Sequence, residues 1–178
     1  MAHANDVSIR PATEADLGAI DEIYNDAILT TTATWDEVPW TPEQRLAWFL
    51  ALDASMPVLV AETGGRIAGF AYLSLYRTKV GYRFTREDTI YIHGDFRGQG
   101  IGTQLLGALV ARARELGLHC LIAAIAGENE PSIALHRRLG FTVAGTKKEC
   151  GIKFGRWLDL TEMTLILSPA SGTTPPGR

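Results

Sequence analysis

Arg97-Gly98-Gln99-Gly100-Ile101-Gly102-Thr103 sets three glycines at alternate positions just ahead of an apolar-periodic segment. Glycine lets successive backbone N–H groups turn inward and approach a ligand closely. A helix starting there adds unpaired amides and the positive end of its dipole. With Arg97 at the lip, this is chemistry suited to a pyrophosphate. Two other phosphate loops do not match. No Lys follows Gly102, as G-x-x-x-x-G-K-[ST] requires. The spacing is G-x-G-x-G rather than G-x-G-x-x-G, and Gly94-Asp95-Phe96-Arg97 precedes it where a strand should end. A helix-entry turn with no ligand is the plainer alternative.

Other side chains could carry protons or charge. Taken alone, Glu87 beside Arg86 reads as a surface carboxylate, and His136 as a helix histidine between Leu135 and Leu139. Arg77-Thr78-Lys79 is a basic pair able to grip a carboxylate, Arg by two parallel hydrogen bonds and Lys as a point charge. A solvated basic loop is the alternative. His3, His93 and His119 sit in the start of the chain, after a strand and before a core strand, and no two histidines have helical metal-ligand spacing. No metal site is expected. Cys120 and Cys150 are the only cysteines and neither falls in a catalytic motif, which argues against a cysteine nucleophile, a disulfide scaffold and a zinc ribbon. Cys120 reads as a buried small hydrophobe, Cys150 as an exposed thiol.

These residues must be positioned by a chain of 178 residues, about one domain. A formal net charge of -3 gives no bulk reason to expect nucleic acid or an anionic membrane as partner. Residues 1–6 lack the basic and apolar stretches of a signal peptide, and the apolar run 121–126 is far too short to span a bilayer. A cytoplasmic protein is expected. Residues 1–6 and the Pro/Gly/Ser/Thr-rich 168–178 read as disordered ends around one domain at 7–167.

Hydrophobic periodicity supplies the elements. A short strand at 7–10 precedes a helix capped by Thr13 with Asp16 three residues on, ending near Leu29. Thr41-Pro42 opens a second helix whose apolar side includes Leu46, Phe49 and Leu50. Strands follow at 58–62 and 67–76 around Gly64-Gly65, then at 89–92. A helix follows the glycines and stops at Gly117; an apolar strand at 120–126 reads as buried on both faces. A short helix at 131–139 and strands at 141–146 and 157–167 complete an α/β (α+β) domain with a mixed sheet.

The order strand, R-x-x-G-x-G, helix, apolar strand, Asn129, short helix, L-x-x-L-G-F resembles the GNAT acetyltransferase superfamily across residues 7–167. Within it, the chain is most similar to phosphinothricin and methionine sulfoximine N-acetyltransferases. The matching stretches include Ile23-Tyr24-Asn25-Asp26-Ala27, Trp48-Phe49 and Lys153-Phe154-Gly155-Arg156-Trp157-Leu158-Asp159. The resemblance implies a mixed central β-sheet whose two parallel strands splay apart around acetyl-CoA, flanked by helices. The backbone of Ile90, Tyr91 and Ile92 would pair with the pantetheine arm. Arg97, Gly98, Gln99, Gly100, Ile101, Gly102 and Thr103 would hold the pyrophosphate, and Asn129 and Ser132 would touch the pantetheine.

The resemblance also implies the catalytic pair. Glu87 would be the base, acting through a water, and His136 would be its partner or the acid for the departing thiolate. Trp35, Arg77, Thr78, Lys79, Tyr82, Glu87, Asp88 and Thr89 would line the acceptor site. Phosphinothricin-type relatives carry Lys then Arg where this chain has Arg77 and Lys79; sulfoximine-type relatives keep the Arg and lose the second cation. The expected activity is acetyl transfer from acetyl-CoA to the α-amine of a small amino-acid analogue, by direct attack in a ternary complex, in a homodimer. The alternatives are acetylation of a protein N-terminus or lysine, and a non-catalytic acetyl-CoA-binding module.

Overall fold

Chain order begins with β1 (Ser8–Pro11), a 3-10 turn (Glu14–Asp16), α1 (Leu17–Thr30) and α2 (Pro42–Leu50) in a computed structural model that describes residues 7–127 and 129–167. The ends expected to be disordered, 1–6 and 168–178, lie outside the described residues. β2 (Val58–Thr63), β3 (Arg66–Leu75) and β4 (Thr85–Ile92) follow. Then come α3 (Ile101–Glu115), β5 (Cys120–Ala126), α4 (Glu130–Arg138), β6 (Thr142–Lys153) and β7 (Arg156–Ile166). The strands form one sheet in the order β1-β2-β3-β4-β5-β7-β6, in which only β4 and β5 run parallel.

Local chemistry accounts for the boundaries. Gly64 and Gly65, at φ of 56° and 75°, make the two-residue turn between β2 and β3. The Asp16 carboxylate accepts the Thr13 N–H at 2.7 Å and fixes the approach to α1. Thr41 and Gln44 form a reciprocal capping box, with Pro42 at the start of α2.

The sheet is covered on both faces. α3 and α4 pack on one, burying Leu105, Leu106 and Leu109 against Leu73, Leu121 and Met163. Each such leucine contributes about 1.5–3 kcal/mol over an exposed one. α1 and α2 cover the other over β2 and β3, around Ile20, Tyr24, Val60 and Phe70.

Several expectations need correction. β4 starts at Thr85, four residues before the expected 89. The polar run Thr85-Arg86-Glu87-Asp88 hides a strand because Arg86 and Asp88 are buried by tertiary contacts. β5 alternates instead of being buried on both faces: Leu121, Ala123 and Ile125 point into the core, whereas Cys120, Ile122 and Ala124 are half-buried. In α2 the buried residue is Arg45, while Leu46 and Leu50 are exposed. Arg45 pairs with Asp21 at 2.8 Å and lies 4.3–4.9 Å from the ring centres of Tyr24, Trp40 and Trp48, so aromatic faces take up a cation that periodicity assigned to solvent. β6 continues past the expected 146 to Lys153 as an exposed edge strand.

Candidate active site

The parallel pair β4–β5 is short. Its register runs from Thr85 opposite Cys120 to Asp88 opposite Ala123 and stops there. Beyond that point the strands diverge, and Thr89 to Ile92 in β4 are only half-buried on both faces. A strand edge left unpaired presents free N–H and C=O groups to an extended ligand.

Two cavities open from this fork. One, of about 800 Å³, runs between β4 and α4 to the start of α3. The other, of about 570 Å³, lies between β4, β5, β7 and the segment joining α1 to α2. They share Ala33, Ile90, Tyr91, Asn129 and Ser132, so two ligands could meet end to end at the fork.

The larger cavity takes in Ile90, Tyr91, Ile92, Arg97, Gly98, Gly100, Ile101, Gly102, Thr103, Asn129 and Ser132. Gln99 is not in its wall; its side-chain amide donates to the Asp95 carbonyl at 3.0 Å and ties the loop down. Gly98 and Gly100 sit at φ of 75° and 79°, a left-handed conformation that turns consecutive amides toward the helix start. A Cβ at either meets no protein atom, so it would project into open space. The Arg97 Nε donates to the Ile92 carbonyl at 3.3 Å. Sequence reasoning missed Arg138, a second cation on the same cavity. The signal was available: it ends α4, opposite the glycines, in the R-R preceding L-G-F. Two guanidiniums, a glycine cradle, a helix start and an open strand edge fit the pyrophosphate and extended arm of acetyl-CoA.

The smaller cavity is roofed by the α1–α2 segment, which is tied down at several points. The Tyr24 hydroxyl donates to Asp36 at 2.8 Å, the Tyr91 hydroxyl donates to the Ala33 carbonyl at 3.3 Å, and buried Lys153 donates to the Thr34 carbonyl at 2.9 Å. Trp35 is pressed against Gly151, where even a methyl group would collide with the indole. Trp35, Arg77, Glu87, Asp88 and Thr89 face the cavity; Thr78, Lys79 and Tyr82 are outside its wall. Arg77 also stacks over Tyr76 and Tyr82, 5.1 and 5.9 Å from their ring centres. Glu162 was not anticipated, although a lone carboxylate within L-T-E-M-T-L is a visible exception in an apolar strand.

Glu87 and Asp88, adjacent on a strand, face opposite sides of the sheet. Glu87 is half-buried, and its carboxyl is pushed above the usual range, first by burial and then by the charges of Asp88 and Glu162, with Lys147 opposing. Asp88 is buried and its Oδ2 lies 2.9 Å from His136 Nε2. The expected partnership of His136 with Glu87 is therefore replaced by one with Asp88. The His136 Nδ1–H donates to the Ser132 carbonyl at 2.7 Å, which fixes that tautomer. The Nε2–Oδ2 contact must then contain a further proton, on imidazolium or on carboxylic acid. Burial raises the Asp88 pKa against the pull of His136. Burial lowers that of His136, but the hydrogen bond and charge of Asp88 outweigh it and raise it. Both directions keep that proton in the pair. Among the described residues no three His, Cys, Asp or Glu side chains converge to hold a metal, and no helix is long and apolar enough to cross a membrane.

Residues 20–141 match the acetyltransferase (GNAT) family. An L-methionine sulfoximine/L-methionine sulfone acetyltransferase of Pseudomonas paraeruginosa is 49% identical over 164 residues, 91% of this chain and 95% of its own. A GNAT superfamily phosphinothricin acetyltransferase from Sinorhizobium meliloti, solved in complex with AcCoA, superposes with a TM-score of 0.90 at 39% identity, covering 96% of this chain and 94% of that one. A ribosomal-protein-alanine N-acetyltransferase structure from Brucella melitensis gives 0.88 at 46% identity, over 90% and 99%. With the forked sheet and the glycine cradle in place, these likenesses settle the assignment: the chain belongs to the acetyltransferase (GNAT) family and is an N-acetyltransferase.

Proposed function

We propose that this enzyme transfers an acetyl group from acetyl-CoA to the α-amine of a small amino-acid analogue of the methionine sulfoximine, methionine sulfone or phosphinothricin type. The observation that carries this reading is the junction of the two cavities at the β4–β5 fork, with Glu87 on the acceptor side. Holding both reactants across one junction makes attack effectively unimolecular. The acceptor arrives as an ammonium and gives a proton to Glu87, directly or through a water. The freed amine attacks the acetyl carbonyl; the C–N bond forms, the C–S bond breaks, the departing sulfur takes a proton that the His136–Asp88 pair supplies, and the second proton that the nitrogen sheds on becoming an amide restores the pair. The Ile92 backbone N–H polarises the carbonyl.

In this reading Ile90, Tyr91, Ile92, Asn129 and Ser132 hold the pantetheine arm, and the 97–103 loop with Arg138 holds the pyrophosphate. Arg77 takes the acceptor's carboxylate, and Trp35 and Thr89 shape its pocket. The catalytic unit is residues 7–167. It works as a cytoplasmic homodimer. Exposed Ile152, Phe154 and Trp157 near the β6–β7 turn support self-association, and the free, exposed Cys150 suits a reducing compartment.

The test is steady-state CoA release with acetyl-CoA and a panel of methionine sulfoximine, phosphinothricin, common amino acids and a peptide with a free N-terminal alanine. Turnover on the analogues is expected. Turnover on the peptide alone would replace the reading with protein N-terminal acetylation. Acetyl-CoA binding without turnover would make the chain a binding module.

A further inference from the structure

The acceptor cavity carries a carboxylate that the proposed chemistry does not use. Glu162 lies on β7 opposite Ala124 of β5 and Gly145 of β6. Its neighbour Met163 points into the α3–α4 core, so Glu162 projects from the opposite face, the face of Glu87. It is in the cavity wall, with its side chain 25% exposed. Its Oε1 accepts from Lys147, and its Oε2 has no partner among the described residues. Lys147 itself is outside the wall. The ion pair is thus oriented, with its negative end toward the cavity and its positive end toward solvent.

The rest of the wall does not offset this. Arg77 is its one cation among the described residues, apart from the proton shared by His136 and Asp88, and an α-carboxylate would occupy that guanidinium. Lys79, the cation expected to assist it, is outside the wall. An anionic group on the acceptor's side chain would therefore face Glu87 and Glu162 with no free cation to meet it. An uncharged polar side chain would pay no such penalty, and one bearing an N–H could donate to the free Oε2.

We propose that Glu162 is a specificity-determining residue that favours acceptors with uncharged polar side chains over those with anionic ones. This rests on the amino-acid-acceptor reading and names the substrate class within it. Between two unit charges held in a half-buried site, repulsion of this kind changes relative affinity by about tenfold.

The test compares kcat/KM for methionine sulfone, whose side chain is neutral, with that for phosphinothricin, whose phosphinate is anionic. Wild type should prefer the sulfone. Glu162→Gln, nearly isosteric, should lower the sulfone-to-phosphinothricin ratio by about tenfold, mainly through KM for phosphinothricin. Lys147→Met, which leaves the carboxylate without its cation, should raise the ratio. Opposite shifts from the two variants would not follow from a purely structural defect. A wild-type preference for phosphinothricin, or a ratio unmoved in both variants, overturns the role of Glu162 and leaves the amino-acid reading intact. Turnover of neither compound by wild type overturns both.

Discussion

His136 Nε2 lies 2.9 Å from Asp88 Oδ2 while the opposite ring nitrogen donates to Ser132, so the two buried side chains hold one shared proton at the apex of the β4–β5 fork. Ala123, opposite Asp88, is the last β5 residue paired with β4, so the dyad sits where those two strands separate. Asp88 Oδ1 is buried without a partner among the described residues, a cost that marks a functional position more readily than a structural one.

That shared proton makes stability depend on pH. The unfolded imidazole loses its proton near pH 6.5, about its ordinary value. The folded pair keeps its proton to higher pH, because the His136 pKa is raised. The native state then binds more protons than the unfolded one, so stability is full below about pH 6.5 and falls as pH rises toward the folded value. Asp88→Asn supplies an amide N–H to Nε2 without a titrating proton, so the decline in Tm above about pH 6.5 should flatten. Melting curves from pH 5 to 9 check this; equal slopes in both proteins would contradict it.

The glycine cradle is tested by Gly100→Val. A β-branched residue at φ 79° is strained by about 1–3 kcal/mol, and its side chain would project into the open space of the cavity. Acetyl-CoA affinity measured by calorimetry should fall by more than about tenfold while the fold survives in thermal melts. Retained affinity would remove the pyrophosphate from this loop.

The roof of the acceptor cavity depends on the contact of Trp35 with Gly151. In Gly151→Ala the new methyl displaces the indole. KM for the amino-acid acceptor should rise severalfold, with acetyl-CoA affinity unchanged, because the larger cavity does not include Trp35. A parallel loss of acetyl-CoA binding would indicate general unfolding of the segment instead.

How much of this was legible in the sequence depended on whether a signal was local. The glycine triplet, the Thr41 cap and the Gly64-Gly65 turn act within a few residues, and each lies where its pattern placed it. β4 was read short because Glu87 and Asp88 are polar. What makes them strand residues is pairing with β3 and β5, and for Asp88 a partner 48 residues away. Arg45 is hidden for the same reason, since its carboxylate partner Asp21 and the Tyr24 ring come from α1, while Trp40 and Trp48 lie close to it in sequence. The smaller cavity, the proposed acceptor site, was the least legible part. Thr78 and Lys79 directly follow Arg77 in sequence yet lie outside the cavity wall, while Glu162 and Trp35 reach it from distant segments.

The most direct measurement is the pH–rate profile of Glu87→Gln against wild type, with a saturating amino-acid acceptor. Glu87 must be ionised to take the ammonium proton, and burial raises its pKa, so wild-type activity should climb as pH rises through that raised value. The variant should lose about 100-fold in kcat near neutrality, a loss that narrows as pH approaches the amine's own ionisation, with acetyl-CoA affinity intact. An unchanged kcat with an unchanged profile would contradict Glu87 as the base and, with it, this account of the site.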